Sequence, residues 1–495
     1  MILKWTLRGL FGLILVACLY IGNLFSGRPM SLNHFLAKEL LTQLFESPEV
    51  MTSIGLFDDF NWLTQHNDKL SLGSEEEALS RHAATLKRRD VLATFEEASL
   101  SPDEQITLAI AKFDVNNTID SFEQFRYHNF PFNQIGGAHL SLVEFMTDLH
   151  PINTVQQAWD FIRRVEQFNE ISEARLNWLQ RQAKQGIYPP DFVFGHVIRQ
   201  LSELIQLEDH PITTMFSQKT SELDLTAAQQ GALQSALSAA MSEHLVPGFD
   251  RLLKHFEETR PLANPHDGAW ALPKGAAYYA HRLKIYTTTD QTAEDIHQTG
   301  LEEVARIESR MLEILTQLGY DGNQSVGALM NALNEDPQFL YPDTPDRKDK
   351  VVADYNQMVV DATETITPYF NRMPKAAVEV RAVPEYSEQN AAGGYYMSPS
   401  LDGSRPGVFY ANLYDIKQTP TYSMQTLAFH EAVPGHHLQN ALNQENESLS
   451  LYRKHGYYTS AYGEGWALYA ERLATEAGLL TSDYDELGVL HSELF

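Results

Sequence analysis

His430-Glu431-Ala432-Val433-Pro434-Gly435-His436-His437, with the run Tyr462-Gly463-Glu464-Gly465-Trp466-Ala467-Leu468-Tyr469-Ala470-Glu471 downstream, decides what fold and chemistry to expect of this chain. Zinc takes nitrogen and carboxylate oxygen, and a catalytic site supplies three protein ligands while leaving one position for water. Two histidines close together on helical sequence and a glutamate on a second helix meet that demand. Glu431, directly after the first histidine, stands where a general base would take a proton from the attacking water.

The spacing departs from H-E-x-x-H, whose histidines share one helix face about 6 Å apart along the axis. Here the second histidine follows six or seven residues after the first. On an unbroken helix His436 would point about 120° away from His430, and His437 would return to that face about 10.5 Å along the axis. The helix must therefore be distorted between them. Pro434 removes the hydrogen bond to the carbonyl of His430, and Gly435 permits unusual dihedrals, so a bulge or widened turn is expected there. Such a bulge favours His436 as the second ligand, with His437 as the alternate. The competing reading is a helix that starts at Pro434 and carries surface histidines.

Glu464 lies between two glycines and ahead of an apolar, aromatic run, which predicts a buried helix whose carboxylate requires a cation. A glutamate there could also serve only to complement the helix dipole. Glu471, seven residues on, shares that face. It is either the partner of a ligand histidine's free ring nitrogen or a solvated glutamate beside Arg472.

H-E-A-V-P-G-H-H-L-Q (430–439) and E-G-W-A-L-Y-A-E (464–471) resemble the bacterial domain-of-unknown-function family 885, whose members look like gluzincin metallopeptidases and are often lipoproteins. Weaker likeness runs through Ser47-Pro48-Glu49 to Gly55, Glu294-Asp295-Ile296-His297 with Gly300-Leu301-Glu302-Glu303-Val304, and Asp402-Gly403-Ser404-Arg405-Pro406-Gly407 continuing to Leu413. The resemblance implies His430, His436 and Glu464 as ligands of one Zn2+ per chain and Glu431 as base. It also implies further helices beyond Phe495, so the carboxyl end reads as truncated. Leu487, Leu490 and Leu494 share one helical face there, with no cap to mark a stop.

At 495 residues and 43% hydrophobic content the chain can bury a large core. Its net charge of −28 argues against nucleic acid, which needs clustered Lys and Arg. Lys4 and Arg8 precede an apolar run from Gly9 to Phe25, an export or anchoring signal. Within it, Leu15-Val16-Ala17-Cys18 resembles the lipobox of bacterial lipoproteins, in which the cysteine is acylated. An uncleaved transmembrane anchor competes with it, because the apolar run continues past Cys18. Either arrangement places the body outside the cytoplasmic membrane, tethered in the cell envelope or periplasm. Cys18 is the single cysteine, so neither an intrachain disulfide nor a thiolate ligand exists.

Helical periodicity covers Pro102 to Lys112, Thr154 to Gln185 and Thr226 to Arg260, and Thr292-Ala293-Glu294-Asp295 reads as a capping box. Strand-like stretches are Ala377–Val383 and Gly407–Leu413. The expectation is a mainly α, large helical gluzincin-like body with a small β-sheet beside the zinc helix. It divides into an anchor or signal segment (1–29), a helical amino-terminal region (30–260) and a catalytic region (261–495). Arg405, in a turn-like stretch, is a candidate to pair a substrate carboxylate; Tyr458 and Tyr462 are candidates to bind substrate or donate to an oxyanion. The function expected is zinc-dependent hydrolysis of peptide bonds in small peptides by a metal-activated water. Hydrolysis of another amide, or an inactive metal-binding relic, are the alternatives.

Overall fold

The computed structural model describes residues 18–55, 57–58, 61–383, 388, 391–400 and 405–494. Residues 1–17 of the expected signal segment and Asp402-Gly403-Ser404 lie outside them. The described chain is mainly α-helical with one three-stranded sheet, as expected. It forms two compact units, divided between His281 and Arg282.

The first unit is built from amphipathic helices. Val155–Glu166 buries Ala158, Phe161, Ile162 and Val165, and Val246–Thr259 buries Phe249, Leu252, Leu253 and Phe256. That three-and-four spacing turns one stripe of each helix inward. Pro102 to Lys112 lies within the unbroken helix Pro102–Phe125, whereas the two longer periodic segments are interrupted. Thr154 to Gln185 becomes two helices, Val155–Glu166 and Phe168–Lys184, hinged at Gln167. The Gln167 amide binds the chain at Asp68 and Leu70. Thr226 to Arg260 carries a wide turn at Met241–Leu245, which accommodates the missing amide hydrogen of Pro247. Arg164 is completely buried, yet its guanidinium donates to Lys69 O (2.9 Å), His66 O (2.9 Å), Thr52 Oγ1 (2.7 Å) and His150 Nδ1 (2.5 Å).

In the second unit Thr292 and Asp295 form the expected capping box that opens the helix Ala293–Gln317. Strands β1 (Val378–Ala382) and β3 (Gly407–Ala411) occupy the expected stretches and pair in parallel, Val378 opposite Gly407. A third strand, β2 (Gly394–Met397), was not foreseen; it runs antiparallel to β3, giving the order β1-β3-β2. Its four residues, two of them tyrosine, are too few for a period-two signal. Central β3 is almost wholly buried. Phe409 and Ala411 pack with Tyr355 of the helix Arg347–Ile366 and with Met424 and Ala428 of the helix Thr421–Glu431, which seats that helix against the sheet. The helix Asp483–Leu494 buries Leu487 and Leu490 against Ile307, Met311 and Tyr422. A Cβ at Gly488 would lie 2.2 Å from the Tyr422 carbonyl, so glycine permits that approach.

His150 makes the first unit's stability depend on pH. Its Nε2 donates to Gln157 O (3.1 Å) while Nδ1 accepts from Arg164, so the ring is held neutral. Burial, then the Arg164 charge, push its pKa down to about 3. Above about 6.5 neither the folded nor the unfolded chain protonates it. Below that value the unfolded chain takes up a proton that the folded one refuses, so stability falls from pH 6.5 towards 3. The loss should be on the order of a few kcal/mol. Urea unfolding at neutral pH and near pH 4 should show a smaller decline for His150→Gln than for the wild type.

Candidate metal centre

The helix Thr421–Glu431 delivers His430 and Glu431 at its carboxyl end. Ala432 leaves helical geometry (φ −106°, ψ −100°), and a new helix, His436–Glu445, begins four residues later. The expected bulge or widened turn is thus a four-residue break, Ala432 to Gly435, between two helices. A Cβ at Gly435 would fall 1.9 Å from the His430 carbonyl oxygen and 2.3 Å from that of Phe429, so only glycine fits. Three further bonds fix the turn: His437 N to Ala432 O (3.1 Å), Gln439 N to Gly435 O (3.1 Å), and Trp466 Nε1 to Pro434 O (2.9 Å).

Across the break the His436 ring stands perpendicular to that of His430, centroids 4.9 Å apart. Glu464 reaches them from the helix Ser460–Glu476: its Oε2 lies 3.5 Å from His430 Nε2 and 3.4 Å from His436 Nε2. One donor atom from each of the three side chains lies within 4.8 Å of the others, close enough to share one ion. Two imidazole nitrogens and a carboxylate are a donor set suited to zinc. Glu464 was expected to be buried, but its side chain is 55% exposed, because Gly463 and Ala467 turn inward and Glu464 and Leu468 outward.

Glu471 is buried and accepts from His430 Nδ1 at 2.8 Å, leaving His430 Nε2 as the nitrogen turned to Glu464. The other Glu471 oxygen is buried without a partner. Burial opposes a proton on His430, but Glu471, Glu431 and Glu464 outweigh it and raise that pKa. Burial and the neighbouring His430 charge lower that of His436. The pair therefore holds one proton more readily than two. Glu431 is also buried, and its carboxyl is pushed up to about 7, first by burial and then, against the pull of His430, by Glu464 and Glu471.

His437 faces elsewhere. Its Nε2 donates to Ala376 O (3.1 Å), so Nδ1 accepts from the Tyr396 hydroxyl (3.0 Å). Both ring nitrogens are engaged, and burial lowers its pKa to about 4. A Cβ at Gly407 would collide with both partners. Tyr458 lies against Gly463 and donates to Glu464 Oε1 (3.1 Å), which brings it to the cluster. Tyr462 is exposed, and its carbonyl accepts from Gln439 Nε2 (3.0 Å). The Arg405 guanidinium binds the carbonyls of Ser398 (2.7 Å) and Pro406 (3.3 Å) within its own loop. Trp466 and Gln439 had no role assigned from sequence. Each acts by a bond to backbone distant in the chain, which no local pattern marks.

A sequence profile described as bacterial protein of unknown function (DUF885) matches residues 48–495. A crystal structure of a candidate lipoprotein from Colwellia psychrerythraea is 30% identical, with a TM-score of 0.80 over 92% of this chain and 81% of its own. A candidate lipoprotein of unknown function from Shewanella oneidensis shares the fold at 16% identity, with a TM-score of 0.62 over 90% of this chain and 81% of its own. No curated protein matches the chain.

Gly435→Ala should lower stability by several kcal/mol, because a methyl group at 1.9 Å from a carbonyl oxygen forces the turn open. Thermal denaturation checks this. Gly465→Ala, which meets nothing within 4 Å, should melt close to the wild type.

Proposed function

The chain belongs to the bacterial DUF885 family, and from that premise we propose that it is a zinc metallopeptidase of gluzincin type, hydrolysing peptide bonds in small peptides. The observation that carries this reading is the convergence of His430, His436 and Glu464, with His430 oriented by a buried carboxylate. Zinc bound by these three side chains would polarise the scissile carbonyl and make water nucleophilic near neutral pH. Glu471 keeps the His430 proton on Nδ1 and so frees Nε2 as a ligand. Glu431 takes the proton of the attacking water and returns it to the leaving amine. Its apolar burial suits it, since a carboxyl raised towards 7 is a stronger base than an exposed one. Tyr458, whose hydroxyl donates to Glu464 Oε1 in the metal-free chain, would turn that proton to negative charge developing on the carbonyl oxygen. The outer edge of β2 has no strand partner among the described residues, and an extended peptide could add there.

The lipoprotein character of the structural relatives supports an exported chain held at the membrane through acylated Cys18, which is exposed. Among the described residues no helix is long and apolar enough to cross a membrane. Labelled palmitate should enter the wild-type chain expressed in a bacterial host and not Cys18→Ser.

Elemental analysis of the desalted protein should give about one zinc per chain. Glu431→Gln should retain the metal and lose peptidase activity by about a thousandfold or more. His436→Ala should lose zinc, whereas His437→Ala should keep it and melt earlier. The base must be ionised, so activity should rise with pH through the pKa of Glu431. Bound zinc draws that value below the metal-free 7. A protein that regains no zinc, or a Glu431→Gln variant as active as the wild type, would overturn the assignment.

A further inference from the structure

The first unit contains a partly open cavity of about 270 Å³ that the metal centre does not use. Phe132, Phe145, Ile171, Phe249 and Leu252 give it an apolar wall. Its polar lining includes His139, Arg175 and Glu49, and two of these hold buried atoms without partners.

His139 is 1% exposed. Its Nε2 lies 2.9 Å from Gln200 Oε1, and Gln200 Nε2 donates to Gln134 O (3.1 Å), which fixes the amide so that its oxygen faces the ring. The imidazole therefore donates from Nε2, and Nδ1 is left as a bare, buried acceptor. Burial lowers the pKa of His139 to about 4, so it is neutral in physiological conditions. Arg175 presents the opposite need. Its guanidinium lies against Gly73, where a Cβ would fall 2.0 Å from Cζ, and its Nε–H is buried with no acceptor. Glu49 is anchored by Ser71 N (2.6 Å) and Ser71 Oγ (2.8 Å); burial lowers the pKa of Arg175, opposed by Glu77 and more weakly by Glu49.

Among the described residues, a cation lacking an acceptor, an imidazole lacking a donor and a carboxylate thus line one space, with three serines and a mostly apolar wall. Water satisfies polar atoms but gains little from an apolar wall, and an apolar cavity of about 150 Å³ already admits benzene. A fatty acid would meet Arg175 and leave His139 unmet. We propose that this cavity binds a free apolar L-α-amino acid, with its carboxylate on Arg175, its ammonium on His139 Nδ1 and Glu49, and its side chain on the wall of Phe132, Phe249 and Leu252. Removal of the charge-assisted bond to Arg175 should cost about tenfold in affinity or more.

Equilibrium dialysis of labelled L-phenylalanine against the full chain in detergent tests this. Saturable uptake of about one equivalent is expected, as for one occupied cavity. Arg175→Gln should weaken it about tenfold or more. Ser141→Trp should abolish it: Ser141 is exposed where it lines the cavity, so the indole fills the space without removing a buried group, and the variant should melt like the wild type. Glu464→Ala, which disables only the proposed metal centre, should bind as the wild type does. 3-Phenylpropionate and phenethylamine, each lacking one charge, should compete much less well than L-phenylalanine. The proposal is overturned by a cooperatively melting wild type that takes up none at millimolar concentration, by uptake unchanged in both cavity variants, by its loss in Glu464→Ala, or by equal competition from 3-phenylpropionate.

Discussion

The second unit depends on the contact between the Gly435 backbone and the carbonyls of Phe429 and His430. At 1.9 Å from a carbonyl oxygen there is no room for the smallest side chain. Because the chain can pass there, it can end one helix at Glu431 and start another at His436 with the two histidine rings face to edge. On a continuous helix the same two residues would diverge by about 120°. The Trp466 bond to Pro434 ties this turn to the helix that carries Glu464. The same tryptophan thereby sets the distance between the histidines and the third donor, so turn and cluster are one mechanical element.

Electrostatics in the cluster work in one direction. Three carboxylates, Glu431, Glu464 and Glu471, surround two imidazoles, and two of the three are buried. A buried carboxylate is costly unless a cation or donors balance it. His430 supplies one bond to Glu471 and leaves the second oxygen of that carboxylate without a partner. Glu431 responds by holding its proton up to about 7. A divalent cation among His430, His436 and Glu464 would relieve both tensions at once, which is the physical argument for the proposed metal beyond the arrangement of donors.

Much of this was legible in the chain, for identifiable reasons. Pro434 and Gly435 between two histidines state a distorted helix, read as a bulge or widened turn, because their backbone chemistry is local. The Thr292 capping box and strands β1 and β3 likewise follow from short-range patterns. Glu471 was reachable because seven residues make two turns of a helix, although only the fold chose between a ring partner and a solvated carboxylate. The exposure of Glu464 was misjudged: an apolar run marks a buried helix but not which of its faces is inward. Arg405, placed by sequence in an open turn, is occupied by its own loop carbonyls. The role of His437 lies in contacts with Ala376 and Tyr396, tens of residues away, and nothing near it in the chain could reveal them.

Those distant contacts explain why two adjacent histidines have separate tasks. Neighbours in the first turn of a helix point about 100° apart, so His436 and His437 cannot both face Glu464. His437 turns towards the sheet and uses both nitrogens there, one on the chain entering β1 and one on the Tyr396 hydroxyl of β2. Gly407 of β3 leaves the space for that junction. His437 thereby fixes the sheet relative to the helix that presents His436. The strand proposed to receive substrate and the donor proposed to bind metal are held in one frame by a residue with no direct part in the proposed reaction. A change at His437 would move the two relative to each other before it altered either, so its signature is a loss of substrate positioning with the donor set intact.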